Sequence, residues 1–326
     1  MKKRIFVAGG AGYIGSVVTN ELLKSNYQVT VYDNLSKGHK SSIPKNAKFI
    51  KGDILDRRKL ERTFKETRYD AIILFAGRIE VGVSMEDPGV FYLNNVVGSF
   101  TLVETAIANG IKKIVFSSSA GVYASKDTPL VETDLIGPAS VYGHTKRITE
   151  EVLSWYNKTL GLRYAALRYF NAAGATPPDR GEAHQPETHL IPLVLQVALG
   201  QRKNIKIFGN DYPTPDGTCV RDYIHVLDLA SAHILALKAL DKQDNLVCNL
   251  GNGEGYSVKE VIETAREVCK HEIKAIVAPR RPGDNAILVA NASKAKKILG
   301  WKPNVPDLKD IISSAWEWHK SHPKGY

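Results

Sequence analysis

The chain has 326 residues, of which 43% are hydrophobic and 24% charged, ordinary values for a globular protein with room for one large α/β unit or two domains. Its formal net charge is +10, but the lysines and arginines are spread along the chain. Without a long basic run, this charge argues against a nucleic-acid ligand and favours an anionic, phosphorylated small molecule.

The cysteines and the start of the chain indicate the cellular compartment. Cys219, Cys248 and Cys269 lack C-x-x-C spacing and are predicted to be free thiols in a reducing environment. Residues 1–4 imitate the start of a signal peptide, but the apolar stretch after them is short and runs into glycines. We find no apolar run of membrane-spanning length. We therefore expect a soluble, cytoplasmic protein that does not bind membranes.

The first half of the chain alternates short, β-rich apolar runs with helical patterns. Strands are predicted at 4–8, 28–32, 48–51, 71–75, 112–117 and 164–168, and helices at 12–25, 57–67, 89–109 and 142–160. Continuous apolar strands separated by helices indicate a parallel sheet that is covered on both faces. The predicted fold class is α/β, with a doubly wound, Rossmann-type sheet.

The pattern changes after about residue 171. Residues 174–185 are rich in Gly, Pro and charge and are predicted to form an irregular loop. Further on, helices are predicted near 190–200, 226–240, 257–269 and 308–320, and a strand near 246–250. Ser257 followed by Glu260 predicts a capping box. We expect a Rossmann domain over 1–175, to which about 222–250 returns, and a smaller α/β substrate-binding domain over 176–326.

A glycine-rich turn follows the first predicted strand. Gly9, Gly12 and Gly15 allow a tight strand-to-helix turn and close approach of the backbone to a pyrophosphate at a positive helix end. Asp33 ends the second strand roughly 20 residues on, where an acid binds the adenosine ribose and repels a 2′-phosphate. The pattern predicts NAD rather than NADP, with a purely structural turn as the alternative.

Two further strands end in residues that suit the same ligand. Asp53 follows the third predicted strand and suits the adenine amino group, with a turn aspartate as the alternative. Phe75 ends the fourth strand. Ligands bind at the carboxyl edge of open parallel sheets, so we expect both residues near the cofactor.

Tyr142 and Lys146 lie four residues apart in a predicted helix and therefore share one face. A free tyrosine has a pKa near 10, so it is a poor base at neutral pH. A neighbouring ammonium and a positive nicotinamide ring would lower that pKa, which would let Tyr142 take a proton from a secondary alcohol. Ser119, at the end of the fifth predicted strand, would hydrogen-bond the same hydroxyl.

Sequence motifs along nearly the whole chain extend this pattern. They include G-G-A-G-Y-I-G at 9–15, S-S-S-A at 117–120, Y-G-H-T-K at 142–146, the segment 207–225, and R-P-G-D at 281–284. On these motifs the chain resembles the extended short-chain dehydrogenase/reductase family, and in detail its UDP-glucose 4-epimerase branch. The first three motifs are shared by the superfamily, and the last two are far more specific.

The resemblance implies a set of site residues. The implied catalytic residues are Tyr142 as base, Ser119 as the partner that orients the sugar 4-hydroxyl, and Lys146. The implied NAD contacts are Gly9, Gly12, Tyr13, Ile14, Gly15, Asp33, Asn34, Asp53, Ile54, Phe75, Ala76, Asn95, Tyr142, Lys146 and Tyr169. The implied UDP-sugar contacts are Ser119, Tyr142, Asn171, Leu190, Phe208, Arg221, Tyr223, Arg281 and Asp284. Leu190 and Phe208 could instead be ordinary core residues.

The implied reaction is the NAD-dependent interconversion of UDP-galactose and UDP-glucose. C4 of the sugar is oxidised, the 4-keto sugar rotates, and hydride returns to its opposite face. The resemblance also implies a homodimer formed through the helices at 89–109 and 142–160, with burial against the sheet as the alternative role of their apolar positions.

Several alternatives are weighed on single residues. Dehydratases and decarboxylases of the superfamily carry an acid just after the catalytic Ser or Thr, where this chain has Ala120. A catalytically idle NAD sensor is disfavoured because Tyr142 is retained. Leu288 stands where some members carry a tyrosine that closes the sugar pocket, so acceptance of UDP-N-acetylhexosamines stays open. His184 and His189 lack the spacing of a helical metal pair, and no metal is predicted.

Overall fold

The computed structural model of the chain describes residues 2–176, 178–281 and 284–326. Its strands are β1 (Arg4–Ala8), β2 (Gln28–Asp33), β3 (Lys48–Lys51), β4 (Ala71–Leu74), β5 (Lys113–Ser119), β6 (Arg163–Tyr169), β7 (Asn171–Ala173), β8 (Ile205–Phe208), β9 (Val220–Arg221), β10 (Tyr223–His225), β11 (Asn245–Leu250), β12 (Tyr256–Ser257), β13 (Ala275–Ala278) and β14 (Ile287–Leu288).

Helices follow most of these strands. They are α1 (Tyr13–Lys24), α2 (Arg57–Glu66), α3 (Val81–Glu86), α4 (Pro88–Ala108), α5 (Val141–Leu160), α6 (Leu190–Ala198), α7 (Val226–Ala239), α8 (Val258–Cys269), α9 (Ser293–Leu299) and α10 (Leu308–Ser321). Helix α4 is π-helical over Tyr92–Val97, and short 3₁₀ turns lie at Lys40–Ser42 and Ala120–Val122.

Seven parallel strands form the central sheet, in the order β11-β6-β5-β4-β1-β2-β3. The predicted doubly wound α/β fold is confirmed, and each predicted strand and helix of the first half is present within a few residues. The strand order reverses between β1 and β4. Ligands of such sheets bind beyond the carboxyl ends of the strands at this reversal.

The central sheet is buried on both faces. Along β1, Ile5 and Val7 pack on one side against α1 and α7, whereas Phe6 packs on the other side with Leu102 of α4 and Leu153 of α5. Successive strand side chains point to opposite faces, so a continuous apolar strand fills two cores at once. This packing explains why the strands could be predicted from uninterrupted apolar runs.

The later part of the chain builds a smaller unit. Helices α6, α8 and α10 enclose a third apolar core that includes Ile191, Ile262 and Ile312. The capping box is confirmed: Ser257 Oγ accepts from the Glu260 N–H, and the Glu260 carboxylate accepts from the Ser257 N–H. We did not predict the strands β7–β10 and β12–β14, because runs of two to four residues are too short to show a period.

Part of the later chain returns to the central sheet. Strand β11 pairs with β6, and α7 packs on the same face as α1. Residues Ala295, Leu299 and Trp301 also enter that core, a second return that we had not expected. On this packing we propose two domains, 1–175 with 222–250 and 293–301, and the remainder of 176–326.

Two sequence expectations concern burial. Cys219, Cys248 and Cys269 are buried free thiols, as predicted. Among the described residues, one helix, Pro88–Ala108, is long and apolar enough to cross a membrane, although we had found no such run. Half of its most apolar window is buried inside the fold, which is the behaviour of a core or interface helix.

Candidate active site

The turn between β1 and α1 requires glycine at two positions. Gly9 has a φ of +81°, and a Cβ there would lie 2.5 Å from the Ala76 backbone nitrogen. A Cβ on Gly15 would lie 2.2 Å from the Gly9 carbonyl oxygen. Gly12 is the N-cap of α1, and no described side chain caps the helix there. The first-turn N–H groups therefore stay available to an anion at the positive end of the helix.

Asp33 is buried at the end of β2 and holds the glycine turn. Its Oδ2 accepts from the Ala11 N–H at 3.0 Å and its Oδ1 from the Leu35 N–H at 2.8 Å. Burial raises the pKa of Asp33, and these two hydrogen bonds oppose that rise. Asn34 donates to the Asp53 carboxylate at 2.8 Å, so the structure brings all three predicted polar residues to one edge of the sheet.

Asn95 lies in the π-helical part of α4 and joins two parts of the site. Its Oδ1 accepts from the Arg78 N–H at 2.7 Å, and its Nδ2 donates to Thr145 Oγ1 at 3.1 Å. These bonds hold the segment after β4 against the helix that carries Tyr142. Phe75, in the same segment, lies 4.8 Å from the His233 ring, centre to centre.

The three predicted catalytic residues converge at the ends of β5 and α5. Ser119 is the last residue of β5, and its Oγ accepts from the Gly121 N–H at 3.1 Å. Tyr142 and Lys146 lie one turn apart in α5, and the Lys146 Nζ is 5.7 Å from the centre of the Tyr142 ring. That ammonium is buried and donates to the Ser117 carbonyl at 2.8 Å.

The protein alone does not lower the pKa of Tyr142. Burial raises that pKa, and a hydrogen bond with Ser119 only partly opposes the rise. Burial also lowers the pKa of Lys146 to about 8, although the Glu150 charge opposes this. The low tyrosine pKa expected from the sequence includes the charge of the nicotinamide ring, so it stays a prediction for the NAD-bound protein.

A buried polar network behind the catalytic helix was not predicted. Glu150 accepts from Ser118 Oγ at 2.6 Å and from Arg168 Nη2 at 2.6 Å, and Arg168 also donates to the Tyr123 hydroxyl at 2.9 Å. The network joins α5 to β5 and β6. Glu150 follows Lys146 by four residues, so its place on the buried face of the helix was the signal in the sequence.

Tyr169, predicted to contact NAD, ends β6 beside the catalytic residues. Its hydroxyl is hydrogen-bonded to the Ser117 hydroxyl, and burial together with the nearby Tyr142 raises its pKa. Its ring lies 6.2 Å from the ring of His233. The carboxyl end of β6 thus adds an aromatic wall to the site.

Four predicted substrate residues meet on the second domain. Asp284 holds two arginines: its Oδ2 lies 2.8 Å from Arg281 Nε and its Oδ1 lies 3.4 Å from Arg221 Nη2. The Arg281 guanidinium lies 4.8 Å from the centre of the Phe208 ring. Two guanidinium groups, one of them over a half-buried aromatic ring, can bind a diphosphate while the ring stacks with a base. Pro282 and Gly283 of the same motif lie outside the described residues.

Five other predicted residues have side chains that contact the protein's own backbone or apolar cores. The Tyr13 hydroxyl donates to the Gly174 carbonyl at 2.6 Å, and Ile54 is buried in the core on one face of the sheet. Tyr223 is buried in the third core, against which Leu190 packs. These side chains pack within the protein, and their ligand contacts stay predictions. Ile14 is likewise packed against the main core.

Asn171 is held by a residue that sequence reasoning missed. Its Nδ2 donates to the Asp222 carbonyl at 2.9 Å. The Asp222 carboxylate is fully buried and accepts from the N–H groups of Asn252, Gly253 and Ala290. The Asp222 carboxylate therefore ties the loop after β11 and the residue Ala290 after β14 to the strand that carries Arg221. Asp222 lies between β9 and β10, within the motif at 207–225, and we had attributed no role to it.

The chain fits NAD at the edge formed by β1 to β4. A helix N-terminus with uncapped N–H groups, in the described chain, offers donors to a pyrophosphate. Each oxygen of Asp33 accepts one backbone hydrogen bond and retains the capacity to accept another from a ribose hydroxyl.

The comparisons with known proteins agree on one family. Residues 5–251 match the profile of the NAD dependent epimerase/dehydratase family. The chain is 50% identical over 325 residues to the UDP-glucose 4-epimerase of Halalkalibacterium halodurans. The alignment covers 99% of this chain and 97% of that protein.

Two solved structures are similar over nearly their whole length. One is UDP-glucose 4-epimerase from Bifidobacterium longum in complex with NAD+ and UDP, with a TM-score of 0.95, 38% identity, and coverage of 99% of this chain and 100% of that one. The other is the UDP-Glc/GlcNAc 4-epimerase from Campylobacter jejuni, with a TM-score of 0.86, 40% identity, and coverage of 98% and 99%.

Proposed function

The chain belongs to the NAD-dependent epimerase/dehydratase family and, within it, to the UDP-glucose 4-epimerases, and on this premise we propose how its residues carry out 4-epimerisation. The reaction interconverts UDP-galactose and UDP-glucose and is NAD-dependent. Bound NAD supplies a hydride acceptor and donor for C4 of the sugar. The observation that carries the assignment of roles is the convergence of Ser119, Tyr142 and Lys146 at the sheet edge that also bears the glycine turn.

In this proposal Tyr142 takes the proton of the sugar 4-hydroxyl and later returns it. Ser119 Oγ accepts a hydrogen bond from the Gly121 N–H and also bonds Tyr142, and on binding of the sugar its proton would be donated to the substrate oxygen. That donation orients the hydroxyl toward the phenol. The raised pKa of Tyr142 means that a further positive charge must favour the phenolate, and the nicotinamide ring is that charge.

Lys146 acts on the phenol through its charge rather than through a direct hydrogen bond. Its ammonium is fixed by the Ser117 carbonyl at 2.8 Å and lies against the ring of Tyr142. A fixed positive charge at this distance in a buried site stabilises a phenolate. The same ammonium is one of the donors available to the cofactor. We propose that the polar residues of the β1–β4 edge and Tyr169 also contact NAD.

The UDP group is proposed to bind the arginine cluster of the second domain. Arg221 and Arg281 would clamp the diphosphate, Phe208 would face the uracil, and Asp284 would accept from the ribose. Firm binding of UDP leaves the hexose free to turn between the two hydride transfers. In the sequence, Asn171 lies between the catalytic residues and this arginine cluster. We propose that it completes the sugar site.

UDP-N-acetylhexosamines are a second proposed substrate class. The structure from Campylobacter jejuni that resembles this chain is named a UDP-Glc/GlcNAc 4-epimerase. In this chain Leu288, in register with Arg221 on a neighbouring strand, packs against the segment that follows Ser119. Leucine is smaller than the tyrosine that some family members carry at this position. We therefore propose that the sugar pocket has room for an N-acetyl group.

We further propose a cytoplasmic homodimer. Leu93, Val97 and Phe100 of α4 and Trp155 and Leu160 of α5 are large apolar residues that are 40–64% exposed. We call these five residues the helical patch. Neighbouring exposed apolar residues on two adjacent helices mark an interaction surface. A second copy of the chain, packed helix against helix, would cover it.

The function is tested by incubating the purified protein with UDP-galactose and no added oxidant. Epimerisation yields UDP-glucose without net NADH. A 4-keto-6-deoxy product would identify a dehydratase instead, and an unchanged substrate with bound NAD would identify a sensor. Either of these two results would overturn the proposal.

A further inference from the structure

Two glutamates and two histidines of the irregular segment 182–189 converge at one point. The His189 Nδ1 lies 2.8 Å from Glu182 Oε1 and 3.0 Å from Glu187 Oε1. The His184 Nδ1 lies 3.1 Å from Glu182 Oε1 and 3.7 Å from Glu187 Oε2. One nitrogen or oxygen of each residue lies within 4.8 Å of one from every other residue.

The separations match those between the ligands of a tetrahedral metal ion. Zinc binds imidazole nitrogen and carboxylate oxygen at about 2.0–2.2 Å, which places two ligand atoms of a tetrahedron about 3.3 Å apart. The four histidine–glutamate separations, from 2.8 to 3.7 Å, lie on either side of that value, two of them through different oxygens of Glu187. Four donors with no place left for water are the arrangement of a structural zinc site.

The charges of the cluster also call for a divalent cation. The side chains of Glu182 and Glu187 are only 5% and 6% exposed. Two buried carboxylates beside two neutral imidazoles carry a charge of −2, which is costly in the interior unless it is balanced. Either one divalent cation or two protons on the imidazoles would balance it.

The orientation of His184 favours the cation. Its Nδ1 is buried and has no hydrogen-bond partner among the described residues, although carboxylate oxygens lie 3.1 and 3.7 Å away. A protonated imidazole would be expected to direct that N–H at one of the oxygens. A lone pair directed at a common centre accounts for the same geometry. Imidazole donors further select zinc over magnesium or calcium.

We propose that Glu182, His184, Glu187 and His189 form a structural zinc site. We had predicted no metal, because spacing along a helix was the criterion and this segment is not helical. All four donors come from eight consecutive residues, so one ion would fix the whole segment. Leu190, the first residue of α6, follows directly.

The segment that the ion would fix is a bridge to the cofactor domain. The Gln185 carbonyl accepts from Lys37 Nζ at 3.1 Å, and the Ala183 carbonyl lies 2.9 Å from His39 Nε2. The His184 ring meets the ring of Tyr13 edge to face, 6.4 Å between centres. The zinc therefore holds a contact between the loop after β2, the start of α1 and the first turn of α6.

The test uses the NAD-bound protein after treatment with a chelator. Zinc is added, the excess is removed by desalting, and the retained metal is measured by mass spectrometry. We expect about one zinc per chain. Glu187→Gln and His184→Gln should weaken zinc binding by more than about a hundredfold, since each removes a ligand. His271→Gln, which changes an exposed histidine outside the cluster, should retain the metal.

Cobalt substitution decides the question on the native chain, even if both variants fail to fold. Tetrahedral Co²⁺ in the site would give intense visible absorption, which added zinc should abolish. Fewer than about one zinc in ten native chains, or no such absorption, would show that protons balance the carboxylates and would overturn the proposal. Undiminished zinc in the folded Glu187→Gln variant would overturn it as well.

Discussion

The ammonium of Lys146 lies 5.7 Å from the centre of the Tyr142 ring, yet its hydrogen bond goes to the Ser117 carbonyl at 2.8 Å. The lysine is thus anchored to the sheet, and the phenol is left free to contact a substrate. Because burial raises the pKa of Tyr142, the phenol stays protonated at neutral pH, whereas Lys146, with a pKa lowered to about 8, still carries its charge there. Activation of the base therefore depends on the ligands that complete the site.

Tyr142→Phe should leave NAD bound and reduce turnover of UDP-galactose by about 10²–10⁴-fold, the usual contribution of a general acid–base group. The substitution removes one hydroxyl and keeps the ring. Turnover and the NAD released on denaturation are measured on the same sample. Tyr27→Phe, a tyrosine distant from Ser119 in the fold, is the control. Full activity in Tyr142→Phe would refute the assignment of the base.

His233 gives the protein an acid-sensitive position beside the proposed cofactor residues. It is fully buried against Phe75, its Nδ1 lies 2.8 Å from the Leu229 carbonyl, and its Nε2 has no partner among the described residues. Burial lowers its pKa from 6.5 to about 4. The unfolded chain then binds more protons than the folded chain, so stability is lost as the pH falls from 6.5 toward 4.

The loss of folding stability caused by His233→Gln should therefore be smaller at acid pH than at neutral pH. The difference in unfolding free energy between the native chain and the variant should shrink by about 3 kcal/mol between neutral pH and the lowered pKa of His233. Urea unfolding of both proteins over this range measures it. A constant difference for His233→Gln would contradict the prediction.

Local chemistry could be predicted from the sequence, but long-range contacts could not. The turn at Gly9–Gly15 and the pair Tyr142 and Lys146 depend on spacing within one strand–turn–helix unit or one helix, and both lie at the expected sheet edge. The partnership of Glu150 with Arg168 joins α5 to β6, and no local period encodes it. The second return of the chain to the sheet near Trp301 was missed for the same reason.

Irregular segments were the other limit. His184 and His189 meet because the backbone between them follows neither the helical nor the extended repeat, so their spacing in the sequence carried no geometric information. The sequence also did not reveal which of the predicted site residues point their side chains into the core. Tyr223, between Asp222 and Ile224 in the sequence, suits a ligand contact or a core equally, and its burial in the third core became visible only in the structure.

The arginine cluster allows a matched pair of substitutions at adjacent positions. Arg281→Leu removes a guanidinium that meets Asp284 and Phe208, and should raise the KM for UDP-galactose about 10- to 100-fold through lost charge-assisted bonds. Arg280 is paired with Asp211 at 2.7 Å and lies over Tyr212, so Arg280→Leu should change KM little. Equal effects on KM would count against a diphosphate clamp at Arg281.

The helical patch should control the oligomeric state. Leu93→Arg places a charge at a residue that is 52% exposed in the single chain and would be buried between two copies. Burial of an unpaired charge is costly, so the variant should sediment as a monomer where the native chain sediments as a dimer. Leu135→Arg changes a residue that is 77% exposed outside the patch and should remain dimeric. A native monomer, or a dimeric Leu93→Arg variant, would rule out this interface.

Leu288 should set the preference between plain and N-acetylated sugars. It lies on β14 in register with Arg221, and it packs against the cluster that contains Ala120, the residue after Ser119. A larger side chain there would occupy the space between the UDP clamp and the catalytic serine. Leu288→Tyr should therefore lower kcat/KM for UDP-N-acetylglucosamine relative to UDP-galactose by about tenfold or more, the scale of discrimination by pocket size.

The ratio of the two kcat/KM values is the decisive quantity, because a general loss of stability would lower both together. Ile287→Tyr is the control: neighbouring residues of a strand point to opposite faces, so this variant adds the same bulk away from Ala120. It should leave the ratio unchanged even if it lowers both rates. An unchanged ratio in Leu288→Tyr would place the N-acetyl contact elsewhere in the sugar site, since the added ring would then have displaced nothing that the substrate uses.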